Sequence, residues 1–329
     1  MNRRRVLKTL FCSSVLMDLN LGQGALAQEP AVAGSLDLFA IGDFGTGDER
    51  QKAVGRAMAR YAKSLGKKPE GLILLGDNFY GPMPGGVSSP RWRTGFSEMY
   101  PGSEFPGPCW AIFGNHDYHD TPGNEKAQLA YASSLNRKTR WTCPAKYYRV
   151  DLPAVNPQIT LLMIDTNWES INRAVHGDKR TCWMTEEERK AQMEWLNSQL
   201  NSKRAPFTLV AGHHPVYSDA SHGDTKELVE ELAPLLEKHG VHVYLCGHDH
   251  DMQHLELEKF RTSFVLSGAG GARLYKHDKT RPGSTVKDVH GFTHLSLAGN
   301  TLTIRHIDAN CEVVHGFTKG VKHDWKILA

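Results

Sequence analysis

Long apolar runs are missing from this chain: no stretch approaches the roughly 18 consecutive apolar residues of a membrane-spanning helix, and no membrane span is expected. A surplus of one charge is missing too. The net charge of +3 comes from residues 1–27, with four Lys/Arg and one Asp, which leaves 39 − 4 = 35 bases against 36 − 1 = 35 acids. That balance provides no basic surface for nucleic acid or an anionic membrane. Cysteine is scarce, at six residues. Cys12 lies in the first segment, and the other five (Cys109, Cys143, Cys182, Cys246 and Cys311) are an odd number, so at least one is free. Cys109 and Cys246 lie in apolar strand-like runs and read as buried small hydrophobes. Cys143 and Cys182 lie in polar connections and are the pair expected to bridge in an oxidising compartment. Repeats and linker-like stretches are absent, which favours one large α/β domain over residues 28–329. With 40% apolar and 23% charged residues the composition is that of a globular protein.

The first residues carry their own pattern. Asn2-Arg3-Arg4-Arg5-Val6-Leu7-Lys8 is basic, a mildly apolar run follows to Leu26, and Ala25-Leu26-Ala27 supplies small residues for cleavage. This reads as an export signal. The Arg-Arg-x-Val-Leu-Lys order, with Asp18, Asn20 and Gln23 interrupting the apolar part, resembles the twin-arginine type. A periplasmic or secreted location is expected.

Beyond Ser35, strands alternate with helices. Leu36–Ile41, Leu72–Leu75 and Cys109–Phe113 are short apolar runs, as are Ile159–Ile164, Phe207–Val210 and Val241–Leu245. Such runs read as buried strands. Lys146–Val150 reads as a further strand. Val54, Ala57, Met58, Tyr61 and Leu65 recur at helical spacing, Thr185 with Glu188 forms a capping box for a second helix, and Pro234 should kink a third. Gly81–Pro90 reads as a loop near the site mouth, and Asn167–Trp183 as a polar lid or rim loop. Later, Thr262–Leu266, Phe292–Leu297 and Thr301–Ile307 are strands with no helical run between them, so the C-terminal part is mostly antiparallel.

What the chain has in quantity is metal-ligand chemistry at strand ends. Five successive strands end in Asp43; in Asp77 and Tyr80; in Asn115 and His116; in His213; and in His248 and His250. Ligands of open α/β sheets bind at the carboxyl ends of strands, so these loops should converge on one crevice. Seven candidates (Asp43, Asp77, Tyr80, Asn115, His213, His248 and His250) are too many for one ion and suit two adjacent metals, an arrangement used for displacement at phosphorus. Taken singly, each has a plainer reading as a cap, turn or packing residue. Their recurrence at successive strand ends argues against that. His119, His214 and His254 read as ordinary polar or core positions, Asp117 as a structural partner of the Asn115 loop, and Asp165 as a cap. The run from Gly268 to Gly271 reads as a tight turn near the site.

The set Asp43-Phe-Gly, Gly76-Asp77-Asn-Phe-Tyr80, Gly114-Asn115-His116-Asp117, Gly212-His213-His-Pro-Val and Gly247-His248-Asp-His250 resembles the purple acid phosphatases, most closely the short tartrate-resistant type of the metallophosphoesterase superfamily. The resemblance covers roughly residues 35–270. It implies a four-layer αββα sandwich with two mixed β-sheets flanked by helices, and an acid phosphatase acting on phosphate monoesters by attack of a metal-bound hydroxide. It also implies that Asp43, Tyr80 and His250 hold Fe(III), that Asn115, His213 and His248 hold a divalent metal (Fe(II), Zn or Mn), and that Asp77 bridges. His116 and His222 would bind phosphate and protonate the leaving group. Most of the superfamily has a histidine two residues after the first aspartate; here that position is Gly45, with Tyr80 taking over the coordination. A phenol is a ligand at acid pH only beside a strongly polarising cation, in keeping with trivalent iron and a coloured protein. The alternatives are a phosphodiesterase or nucleotidase of the same superfamily, a non-catalytic periplasmic metal- or phosphate-binding protein, or a role dominated by peroxide-derived redox chemistry. Small phosphate esters are the expected partners.

Overall fold

Alternate residues of the apolar runs face different cores, and this is why the runs are unbroken. The computed structural model describes residues 34–120, 123–134, 139–176, 183–277 and 280–328. Among these, fifteen strands form two sheets. The first contains β1 (Leu36–Ile41), β2 (Gly71–Leu74), β3 (Cys109–Ala111) and β4 (Trp141–Thr142) as parallel neighbours. The second contains β5 (Tyr148–Leu152), β6 (Ile159–Met163), β7 (Phe207–Ala211), β8 (Val243–Cys246), β9 (Met252–Leu255), β10 (Ser263–Ser267) and β11 (Ser284–Lys287). The chain then returns to the first sheet as β12 (Gly291–Ala298), β13 (Thr301–Asp308), β14 (Val313–Gly320) and β15 (Trp325–Ile327). Spatially the first sheet runs β15-β14-β13-β12-β1-β2-β3-β4 and the second β11-β9-β10-β8-β7-β6-β5. Both are mixed: β12 pairs antiparallel with β1, while β6, β7, β8 and β10 are parallel and flanked by antiparallel β5 and β9.

In β1, Leu38 and Ala40 enter the core between the sheets, whereas Phe39 and Ile41 enter the core beneath α1 (Glu49–Ser64); the short helices α2 (Asn115–His119) and α3 (Asn124–Ala132) follow β3. The second sheet repeats the pattern, with Leu161 and Leu209 facing inward and Leu162 and Val210 facing α5 (Glu186–Asn201) and α6 (Ala233–Lys238). Two-sided burial of parallel strands makes nearly every position apolar. The result is the four-layer αββα sandwich with two mixed sheets.

Caps fall where the sequence puts them. Thr185 Oγ1 accepts the Glu188 amide at 3.2 Å and Glu188 Oε2 accepts the Thr185 amide at 2.7 Å, forming the expected capping box. Pro234 stands in the first turn of α6, directly after a π-helical segment, Leu228–Leu232. The break at the proline takes the form of this widened turn.

Several expectations need correction. Asn167–Trp183 is not a continuous loop: it contains α4 (Glu169–His176), anchored by buried Trp168 and Ile171. Three residues apart, these two share one face, and they were masked by the polar residues around them. The strand expected at Lys146–Val150 lies two residues later, as β5. Short strands with polar composition, such as β9 and β11, carry no apolar run to mark them. Residues 1–27, the expected export segment, lie outside the described residues. So does Cys182, and with it the expected bridge to Cys143, whose own thiol is buried.

Candidate metal centre

The loops that follow β1, β2 and β3 of the first sheet meet those that follow β7 and β8 of the second. Backbone bonds tie neighbouring loops within each sheet, the Asp43 amide to Gly76 O at 3.0 Å and the Gly247 amide to His213 O at 2.9 Å, and the Gly42 amide links the two sheets by donating to Ser267 O, at the end of β10, at 2.7 Å. The crevice expected where these strand-end loops converge lies at the junction of the two sheets.

At this junction the seven candidate side chains come together. His213 Nε2 and His248 Nδ1 each lie 3.1 Å from Asn115 Oδ1 and 3.3 Å from each other. Beside them, Tyr80 Oη lies 3.3 Å from Asp43 Oδ1 and 3.2 Å from His250 Nε2. Asp77 stands between the two groups, with Oδ1 3.5 Å from His213 Nε2, and its carboxylate clusters with Asp43 and His250 within 4.8 Å. Asp43, Asp77 and His213 are almost wholly buried.

The surroundings fix which atoms face inward. His213 Nδ1 donates to Leu75 O at 2.8 Å and His250 Nδ1 to Arg273 O at 2.7 Å, so in the neutral form of each ring Nε2 presents a lone pair. The outer carboxylate oxygen of Asp43 accepts the His248 amide at 2.8 Å, and Asp77 Oδ1 accepts the His116 amide at 3.0 Å. In the neutral ring, the lone pair of His213 Nε2 thus faces that of Asn115 Oδ1 at 3.1 Å. That arrangement is repulsive unless a cation sits among them, and the donor set of imidazole nitrogens with an amide oxygen suits a borderline divalent metal. The carboxylate and phenol set suits a harder ion.

Backbone strain collects at the same place. Asp43, Asp77 and His248 have φ of 55°, 52° and 71°. Left-handed backbone at a non-glycine residue costs on the order of 1–3 kcal/mol. Burial of a single large apolar side chain contributes about as much, and three such cores surround the site. At Gly114 any side chain is excluded, because a Cβ would stand 2.1 Å from Asp77 Oδ1.

Electrostatics follow from burial and from the carboxylates. Burial, reinforced by Asp77 and Asp43, raises the Tyr80 phenol well above its ordinary value, so only a cation can displace its proton. Burial would lower His116, but Asp77, Asp120 and Asp117 outweigh it and lift the imidazole to about 9. Burial and four neighbouring imidazoles, His214, His213, His222 and His250, hold His248 well below its ordinary value.

His116 and His222 flank the crevice. The His116 ring lies 4.5 Å from that of Tyr80, and the His222 ring 4.2 Å from that of His248. Each is held through Nδ1 by a carboxylate: His116 by Asp120 at 3.0 Å and His222 by Asp249 at 2.6 Å. Asp117 joins the loops as expected, accepting the amides of Gly114 at 2.9 Å and Asn78 at 3.1 Å. Asp165 caps no helix; it accepts the Asn167 amide at 2.8 Å and the Tyr118 hydroxyl at 2.6 Å. The turn after Ser267 lies against the Asp43 loop, with Gly270 N donating to Gly42 O at 3.1 Å. His214 stands beside His213 and His248, but its Nδ1 bonds Thr166 Oγ1 at 2.9 Å. His254 lies away from the site, its Nδ1 2.9 Å from His315 Nε2.

Sequence reasoning missed Asp120, Asp249, Tyr275 and Arg91. Asp120 stands four residues after His116, and that spacing was a usable signal. Tyr275 stacks on His250 at 4.1 Å and 14°, with no local pattern to announce it. Arg91 donates to the carbonyls of Tyr80 and Gly45, the second at 2.8 Å.

A family profile described as calcineurin-like phosphoesterase matches residues 37–252. Tartrate-resistant acid phosphatase type 5 of Homo sapiens is 31% identical over 299 residues, covering 84% of this chain and 88% of that protein. Purple acid phosphatase 17 of Arabidopsis thaliana is 33% identical over 251 residues, covering 74% and 70%. Among solved structures, GAP50, the anchor in the inner membrane complex of Plasmodium, matches with a TM-score of 0.71 at 21% identity over 86% of this chain and 87% of that one, which shows a shared fold. The chain is thus a member of the calcineurin-like phosphoesterases and, within them, of the tartrate-resistant and purple acid phosphatases, hydrolases of phosphoric monoesters.

Proposed function

We propose that this protein is a binuclear-metal acid phosphatase acting on small phosphate monoesters, its site carried by one domain over residues 28–329. Asp43, Tyr80 and His250 would hold Fe(III), Asn115, His213 and His248 a divalent Fe, Zn or Mn ion, and Asp77 would be shared. The observation that carries this is the convergence of Asn115 Oδ1, His213 Nε2 and His248 Nδ1 within 3.3 Å of one another, beside the Asp43, Tyr80 and His250 group. When bound, such a metal pair acidifies water and neutralises charge on a phosphoryl group.

The chain's own residues supply the rest. Leu75 O and Arg273 O hold His213 and His250 in the tautomer that leaves Nε2 open. His116, kept protonated by the carboxylates around it, can bind a phosphate oxygen and donate a proton to the departing alkoxide. His222, held by Asp249, faces the crevice from the opposite wall beside His248. With its pKa lifted to about 9, His116 remains a proton donor at acid and neutral pH alike.

The test is metal analysis of the purified protein together with hydrolysis of p-nitrophenyl phosphate and of its bis-ester at pH 5. Two metals per chain with preferential turnover of the monoester is the expected result. Preference for the bis-ester would make the protein a phosphodiesterase, and metal binding without turnover of either would make it a binding protein.

A further inference from the structure

We infer that Asp120 and His119 form a relay that fixes the side-chain amide of Asn115, turning its oxygen rather than its nitrogen toward His213 and His248. This rests on the proposed two-metal reading only in assigning Asn115 Oδ1 to the divalent ion.

The chain of contacts has a definite polarity. The Asp120 carboxylate can only accept, so His119 Nδ1, 2.8 Å from its Oδ1, carries the proton. In the neutral ring Nε2 is the acceptor, and it lies 3.4 Å from Asn115 Nδ2, a donor. With Nδ2 committed to His119, the Asn115 oxygen faces His213 Nε2 and His248 Nδ1, at 3.1 Å each. The flipped amide would set oxygen against the His119 lone pair and N–H groups against the cation. Helical spacing makes this possible: Asn115 and His119 are four residues apart on α2 (Asn115–His119), and so share a face.

Asp120 has further ties. It accepts from His116 Nδ1 at 3.0 Å and from the Gly81 amide at 2.5 Å. One carboxylate therefore positions a proposed metal ligand, a histidine facing the substrate and the backbone leaving Tyr80. His119 and Asp120 are positioning residues on this account.

The test has two arms. In the first, protein carrying iron but stripped of its divalent metal is titrated with Zn²⁺ by calorimetry, comparing wild type, His119→Leu and His119→Gln. Loss of a group that orients a ligand costs roughly 10–100-fold in metal affinity, so His119→Leu should bind Zn²⁺ that much more weakly. His119→Gln, which keeps an acceptor for Asn115 Nδ2, should stay close to wild type. A folded His119→Leu protein with wild-type affinity would overturn the relay. In the second arm, ¹⁵N NMR of metal-free wild type should show His119 protonated on Nδ1 and bare on Nε2; the opposite tautomer would overturn the relay whether or not the variants fold. Wild type that takes up no second metal would instead contradict the two-metal reading, and the tautomer would still report on the relay.

Discussion

The carbonyl oxygen of Gly45 accepts the amide of Tyr80 at 3.0 Å, and a side chain at position 45 has no space. A Cβ there would stand 2.2 Å from the carbonyl carbon of Asn78. The glycine that replaces the superfamily's usual histidine and the tyrosine that reaches Asp43 are therefore one steric arrangement. The backbone leading to Tyr80 occupies the volume a histidine would need.

Gly45→His should consequently displace Asn78 to Tyr80 rather than add a ligand. Overpacking of this kind costs about 1–3 kcal/mol, and misplacement of a site group by 1 Å can cost on the order of 10²-fold in rate. Calorimetry and kcat/KM should show both losses. A stable, active Gly45→His protein would refute the steric argument.

His116→Ala and His222→Ala should each lower kcat by roughly 10²–10⁴-fold, the range for a positioned proton donor, while metal content stays at wild-type level. Neither imidazole lies within the two clusters of proposed ligand atoms. Loss of metal in either variant would show that the residue acts on the metals and not on the substrate.

A third expectation concerns acid stability, far from the site. Burial alone would raise the Asp37 carboxyl, but bonds from His294 Nε2 at 2.8 Å, Ser35 Oγ at 2.5 Å and Lys67 Nζ at 3.0 Å outweigh it and hold it well below the usual range. A carboxyl lowered in the folded state contributes stability that is present above its unfolded pKa, ~3.9, and is lost as pH falls through the lower folded value. Asp37→Asn should therefore cost about 2 kcal/mol at pH 7, typical of hydrogen bonds to a charged group, and less with each step below pH ~4. Thermal unfolding of both proteins from pH 7 to pH 3 measures this; a constant difference across the range would contradict it.

The site was legible because its residues follow short apolar runs that alternate between two cores, as Phe39 and Ala40 do. Each run ends in a glycine followed by Asp43, Asp77, Asn115, His213 or His248, and a strand end is where the sheet stops and side chains become available. The groups that orient those residues were less legible. Asp120 holds His116 from the next helical turn, where the four-residue spacing was a usable signal, whereas Asp249 reaches His222 from 27 residues away and nothing local betrays it. Tyr275 reaches His250 only through folding. The α4 helix was missed because its two anchors, Trp168 and Ile171, are too few to set a helical period. Strand β9 was missed because half of its four buried residues, Gln253 and His254, are polar.

The most direct measurement is the visible absorption spectrum of the purified protein, wild type beside Tyr80→Phe, with iron quantified in both. Tyr80 Oη stands against Asp43 and His250, so an iron ion held there would bind the phenolate. A broad band at about 500–600 nm, present in wild type and absent from an iron-bearing Tyr80→Phe protein, is the predicted result, because a strongly polarising cation is what deprotonates the phenol. A colourless wild type holding zinc or manganese and no iron would contradict the Fe(III) assignment and leave a two-metal phosphoesterase of a different kind.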